Sequence, residues 1–458
     1  MTIASRSGVY DPLIERTPGE GQPLVQSYWT ETAGTAPEDD GPVTGDMNVE
    51  VAIIGAGYTG MSCAYFLAQQ HGIRAVVLEA NQVAWGCSSR NGSFARISGG
   101  RVPFAELVGR YGEATARSYF DEMAEGLRTV KGLILEGRID CDAMPDEVYK
   151  VASRPEHVDK LRREVKLYND IAGYPARLLS QDELAGIHGG QESFGALFMP
   201  DGFAMHPLKL AWGIQKMARS SGATIYTGSP VIEWNAHSEG HTLKTPRGNV
   251  RAKFVVLATN GYTNPELNEA VGTRVHPVYS QIIVTAPMTR KQQLETLPGT
   301  GCMFDTHNLL HYYRRLPDGR IMFGGRSAIS GRDVGNPRHE RALIEGMVRK
   351  FPELRGIGIT HTWGGWVAVS RDSLPFAFRI PELKNAFFGG GYAGSGVSFS
   401  MLVGKRLAAM IAGDDRPSPV EFLHRVPGTF PHRIFTRMGQ RMTYALYRFK
   451  DSRASMGA

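Results

Sequence analysis

Gly55-Ala56-Gly57-Tyr58-Thr59-Gly60 constrains this chain more than any other stretch. The apolar run before it, Val51-Ala52-Ile53-Ile54, reads as a buried strand, and Met61 to Gln70 after it reads as a helix. A second apolar run, Ala75-Val76-Val77-Leu78, ends on Glu79, nineteen residues past Gly60. Strand, glycine turn, helix, strand and acid together form an adenine-dinucleotide cradle. Gly55 permits the tight turn, Gly57 lets a pyrophosphate approach the backbone, and Gly60 lets helix and strand pack closely. The helix N-terminus offers N–H groups and a positive dipole end to the phosphates. Glu79 is placed to accept ribose hydroxyls. The motif by itself does not separate FAD from NAD.

A chain of 458 residues has room for two or more domains. Its 42% hydrophobic and 21% charged residues are those of a globular protein. The net charge of +6 is diffuse. It suits an anionic cofactor, while the lack of a dense Lys/Arg stripe argues against nucleic acid. Cys63, Cys87, Cys141 and Cys302 form no C-x-x-C and sit at no metal-ligand spacing. No metal is expected, and a reduced, cytoplasmic setting is. No signal-type apolar segment is found, and no apolar run reaches the roughly 18 residues of a membrane span.

The order of segments predicts an α/β protein with interleaved domains. Residues 1–46 read as an N-terminal arm. Segments 47–138, 197–268 and 362–415 read as a Rossmann-like dinucleotide domain. Segments 139–196 and 269–361 read as a strand-rich substrate domain, and 416–458 as a tail. Within these, helices are expected at 104–136, 155–172, 181–187 and 207–220, and strands at 148–152, 224–226 and 231–234.

Three more segments suit an extended dinucleotide. Gly86-Cys87-Ser88-Ser89-Arg90-Asn91-Gly92 can wrap a pyrophosphate and a sugar chain, or be a polar loop. Thr259-Asn260-Gly261 ends an apolar strand in small residues that allow close backbone approach, or marks a simple turn. Gly389 to Gly396 enters a helix and offers a second set of N–H groups.

These motifs, with Leu78-Glu79-Ala80-Asn81, Asp305-Thr306, Tyr313-Arg314-Arg315, Phe323-Gly324-Gly325 and Gly391-Tyr392-x-Gly394-x-Gly396-Val397, resemble the FAD-dependent D-amino-acid oxidase (glycine/sarcosine oxidase) family. Within it, the branch that oxidises gamma-glutamylputrescine is the most similar. The resemblance covers about 25–450. It implies a glutathione-reductase-type FAD domain and an antiparallel sheet covering the ring. It adds Val231 and Val397 to the cofactor set, and implies C–N oxidation of a small-molecule amine by hydride transfer to flavin N5, followed by imine hydrolysis. The electron acceptor would be O2 or another oxidant.

The expected substrate is an acylated diamine like gamma-glutamylputrescine or an ω-amino acid. A D-amino-acid or sarcosine-like oxidase, and a flavoprotein subunit of a larger amine dehydrogenase, are the alternatives. The family's carboxylate-binding lysine is replaced by Ser398, and its oxygen-activating lysine by Met322. No cysteine stands at the family's flavin-attachment position, so the FAD is expected to be non-covalent.

Tyr279, Tyr312, Trp366 and Tyr392, with Tyr313 and Trp363, are candidates for an aromatic cage around the amine, or for core packing. Arg314 and Arg326 are candidates for a distant carboxylate, or for ion pairs. His206 reads as a helix cap before Pro207. Asp305 is either a turn residue or an ammonium ligand. Phe435, Met438, Met442, Ala445, Leu446 and Phe449 fall at helical spacing among arginines. This basic amphipathic tail is expected to pack on the body, with a peripheral membrane or partner surface as the other reading.

Overall fold

The structure is a computed structural model that describes residues 9–414 and 417–453. Two eight-stranded sheets organise it. The first is built on the sequence that the glycine motif predicts. Met47–Ile54 pairs in parallel with Ala75–Leu78 on one side and Gly248–Leu257 on the other. Thr224–Tyr226 extends the sheet beyond Ala75–Leu78, and Ala386–Gly390 extends it beyond Gly248–Leu257. Met47–Ile54 is fully buried over its last four residues, as expected of a parallel strand covered on both faces. The helices Tyr58–His71 and Gly396–Ile411 pack against each other beside this sheet.

The second sheet runs Ile359–Ser370, Val275–Thr285, Ile321–Arg326, Tyr312–Arg315, Cys302–Asp305, Val148–Val151, Ala196–Met199 and Arg177–Leu179. Its pairings are antiparallel except that between Cys302–Asp305 and Val148–Val151. The first sheet has a parallel core, to which Phe376–Arg379, Gly240–Thr245 and Glu233–His237 add antiparallel strands, and with the interleaved, largely antiparallel second sheet it gives the fold class read from the sequence. The boundary at 362 falls inside a strand: Ile359–Ser370 pairs along nearly its whole length with Val275–Thr285, so the chain returns to the first sheet only after Ser370. The strand expected at 231–234 instead spans Glu233–His237.

The helix Phe104–Glu136 appears as expected, with Gly112 breaking its geometry at φ 81°. Residues 9–46 of the arm lie on the body. Trp29 is buried and donates to the Asn91 carbonyl at 3.1 Å. Tyr10 stacks on Tyr262, and its carbonyl accepts from Trp366 Nε1 at 2.7 Å. Among the described residues no helix is long and apolar enough to cross a membrane.

Candidate active site

One deep cleft between the two sheets collects most of the residues singled out by the sequence. Its first part is the glycine turn. Gly57 caps the helix Tyr58–His71 with no side-chain bond, and Gly57, Tyr58 and Thr59 line the cleft. A Cβ on Gly57 would lie 3.0 Å from Ser88 Oγ, the atom that accepts the Tyr58 N–H at 3.0 Å. Glu79 lies beside Ala80 in the same wall and accepts backbone N–H groups from Ala56 at 2.8 Å and Asn81 at 3.0 Å. Burial raises its pKa, and these backbone donors oppose the rise.

The second glycine turn joins it from the far end of the chain. Gly391 and Gly394 have φ of 78° and 102°, a region that glycine enters without strain. The helix Gly396–Ile411 starts from Ser395 with no side-chain cap, and Tyr392, Gly394, Gly396 and Val397 line the cleft. Asn260 Oδ1 accepts the Gly391 N–H at 2.9 Å, tying in the Thr259-Asn260 turn. Gly55, Gly86, Ser88, Arg90, Asn91, Gly92, Val231, Thr259 and Asn260 complete the expected lining.

Four expected cofactor residues stand behind the wall and shape it. A Cβ on Gly60 would meet the Gly55 carbonyl oxygen at 2.0 Å, and one on Gly261 the Trp366 oxygen at 2.4 Å. Ser89 is buried, and its hydroxyl donates to Gly86. Gly391 presents its N–H to Asn260, as above.

At the other end the wall comes from the second sheet. Tyr312 lies over Gly92, and its hydroxyl is 3.0 Å from Ser280 Oγ. Burial pushes the Tyr312 phenol up to about 12. Arg326 lines the cleft here with Arg96 and Arg101. The Arg96 guanidinium sits 4.7 Å from the Phe304 ring centre. Arg101 keeps solvent exposure, yet desolvation by the surrounding wall, and then the neighbouring Arg326, hold it down to about 10. Glu79 is the only acidic residue in the cleft lining among the described residues. Nothing at the motif level singled out Arg96 or Arg101, because the segment between Phe94 and Pro103 carries no periodicity.

Tyr279, Trp366 and Arg314 do not line the cleft. Tyr279 and Trp366 meet edge to face at 4.9 Å and pack with Tyr10 and Tyr262, because the arm covers that face of the strands. Arg314 is buried, donating to the Met205 carbonyl at 3.2 Å beside the Trp29 ring. Tyr313 belongs to a separate core with Phe323 and Phe351. Trp363 is buried and donates to the Arg90 carbonyl. Of the proposed aromatic cage, Tyr312 and Tyr392 reach the cleft.

Asp305 is also away from it. Although burial opposes this, Lys350, His307 and His311 hold its carboxyl well below the usual range. Asp305, His307 and His311 bring possible ligand atoms within 4.8 Å of one another. Lys350 Nζ lies 3.4 Å from Asp305 Oδ2 and already balances that charge. His206 is a cap: its Nδ1 accepts the Lys209 N–H at 3.2 Å.

Two helix starts without side-chain caps, a glycine whose Cβ would intrude and a half-buried acid just past the second strand fit an extended dinucleotide. The residues present therefore suit FAD. Residues 50–410 match the DAO family, described as FAD dependent oxidoreductase. Gamma-glutamylputrescine oxidoreductase of Escherichia coli K12 is 29% identical over 85% of this chain and 89% of that protein. A probable oxidoreductase OrdL of Rhizobium meliloti is 30% identical over 81% and 84%. Among solved structures, glycine oxidase from Geobacillus kaustophilus superposes with a TM-score of 0.69 at 22% identity, covering 82% of this chain and 98% of that one. L-proline dehydrogenase from P. horikoshii gives 0.70 at 20% identity, covering 83% and 97%. These two structures carry the likeness of fold, and the family match carries the rest: the chain belongs to the DAO family of FAD-dependent oxidoreductases.

Proposed function

We propose that the protein oxidises the C–N bond of an amine that also carries a carboxylate remote from the reacting nitrogen. An acylated diamine such as gamma-glutamylputrescine, the substrate named for the E. coli relative, or an ω-amino acid meets that description. The observation that carries this reading is the charge of the cleft's second end. Arg96, Arg101 and Arg326 share its lining, and none of the three has an ion-pair partner among the described residues. Three cations gathered in one wall without an acid repel one another, and an anionic ligand relieves that repulsion through charge-assisted hydrogen bonds.

Bound FAD supplies the two-electron acceptor. The protein's own contribution is position and environment. Tyr312, Phe94 and Phe304 give the substrate end apolar walls, which disfavour an ammonium and favour the neutral amine whose lone pair the reaction needs. The arginines anchor the anionic arm and so fix which carbon faces the ring. Ser398 is buried behind the wall, accepting the Arg96 N–H at 2.9 Å, so the anion anchor comes from arginines and not from the helix Gly396–Ile411.

Anaerobic mixing of the holoenzyme with paired amines tests this. An ω-amino acid or gamma-glutamylated diamine should bleach the flavin band at least tenfold faster than the same amine lacking the carboxylate. Equal rates for the two would refute carboxylate recognition. Bleaching confined to α-amino acids would favour a D-amino-acid or sarcosine-like oxidase.

A further inference from the structure

The helix Arg433–Arg453 docks on the body by its polar side. Arg437 pairs with Asp11, Gln440 bonds His276 at 3.1 Å, and Tyr444 is buried. Asp451 accepts N–H groups from Asn308 and Leu309, each at 3.1 Å. The opposite side is apolar and faces solvent. Ile434, Phe435, Met438, Met442 and Leu446 are 48% to 71% exposed and follow one another at helical spacing. Six of the eleven exposed large hydrophobics among the described residues sit on this helix, so the exposure is a patch and not scatter.

Cations border the stripe. Arg433, Arg441, Arg448 and Lys450 are exposed, and no acid occurs between Arg433 and Lys450. Arg441 and Arg448 also line a second cleft, together with Arg332, Arg338 and His339. Asp333 is the only acid in that lining among the described residues, and it is already paired with Arg338 and His339. The apolar stripe is thus flanked by a basic recess able to take phosphate oxygens.

We infer that this face docks on an anionic phospholipid surface, with the stripe entering the acyl boundary and Arg441 and Arg448 meeting headgroup phosphates. A one-helix stripe with cationic borders has the amphipathic character that lies in the interface plane. A second copy of the chain is disfavoured by the same charges. An isologous contact would set each acid-free helix against its twin and bring like charges together. This inference stands apart from the substrate assignment.

Flotation of the full-length holoenzyme with phosphatidylglycerol or phosphatidylcholine vesicles tests it. The wild type should float with phosphatidylglycerol and not with phosphatidylcholine. Met438→Glu/Met442→Glu should lose flotation while keeping flavin content. Arg441→Ser/Arg448→Ser should weaken it roughly 30-fold, at about fivefold per cation. A fluorophore on Met442→Cys should shift to the blue only with phosphatidylglycerol, a readout that does not need the double variant. No flotation of the wild type, or equal flotation of wild type and Met438→Glu/Met442→Glu, overturns the proposal. A vesicle-indifferent wild type that is dimeric by light scattering, with a monomeric Met438→Glu/Met442→Glu, overturns it in favour of a contact between copies.

Discussion

The Tyr392 hydroxyl lies 2.6 Å from Thr59 Oγ1, joining two glycine turns that are 333 residues apart in the chain. Both residues are buried and both line the cleft between the two sheets. The bond locks the start of the helix Tyr58–His71 to the turn that begins Gly396–Ile411. Removing it with Tyr392→Phe leaves a buried threonine hydroxyl unpaired, at a cost of about 1 kcal/mol. We expect a lower Tm and FAD affinity weakened about fivefold. Flavin retention on gel filtration and a titration of apoprotein check this; unchanged affinity would show that the two turns hold the cofactor independently.

The glycines of the first turn should separate into two behaviours. Gly60→Ala places a methyl 2.0 Å from the Gly55 carbonyl, a clash with backbone that cannot swing aside. It should fail to give folded holoprotein. Gly57→Ala meets only Ser88 Oγ, at 3.0 Å, and intrudes on the cleft itself. It should keep near-native circular dichroism and bind FAD on the order of tenfold more weakly, about 1.4 kcal/mol. Identical behaviour of the two variants would contradict the division between packing and binding.

This division also marks what was legible in the sequence. That Gly57, Tyr58, Ser88 and Glu79 line one cleft is legible because a dinucleotide motif sets particular residue types at short spacing. That Arg96 and Arg101 join them is not. They enter the cleft through tertiary bonds such as that from the Arg96 N–H to Ser398, and a lone arginine in a loop carries no pattern. Tyr279 and Trp366 look like cage residues until Tyr10 of the arm is seen to cover them. The tail's helical period was plain, but period identifies a face without saying whether it docks. Asp11, His276 and the 308–309 backbone reward the polar side, and so the apolar side is turned outward.

Arg326 allows the substrate end to be tested by kinetics. Arg326→Met should leave flavin content unchanged. It should raise KM for a carboxylate-bearing amine by roughly 10- to 100-fold, the loss of one charged hydrogen bond of about 1.5–3 kcal/mol. The KM of an uncharged amine should move little. If both substrates lose equally, Arg326 serves the wall and not the anion.

FAD should be released by acid precipitation and leave an unlabelled polypeptide. Cys87 is the only cysteine in the cleft lining among the described residues. Its thiol donates to the Trp366 carbonyl at 3.0 Å, and burial pushes its pKa up to about 11. Such a thiol is protonated near neutral pH and a poor nucleophile. Mass spectrometry of the denatured chain should give the unmodified mass, and flavin fluorescence remaining with the precipitate would contradict the expectation.

Acid should destabilise the fold through histidines that are buried neutral. Burial lowers His206 to about 4 and His188 to about 3, against roughly 6.5 in an unfolded chain. As pH falls below about 6.5 the unfolded state takes up protons that the folded state refuses, so stability drops until the folded value is reached. Each such histidine contributes a slope of about 1.4 kcal/mol per pH unit within its window. His206→Asn removes one titration yet keeps a side-chain oxygen able to accept the Lys209 N–H, since asparagine is a favoured cap. Lost contact with Trp29 and Thr32 should lower its Tm at neutral pH. Between about pH 6.5 and 4, however, its Tm should fall less steeply than that of the wild type. Parallel melting curves for the two proteins across this range would assign the acid sensitivity to other groups, with His188 the next to test.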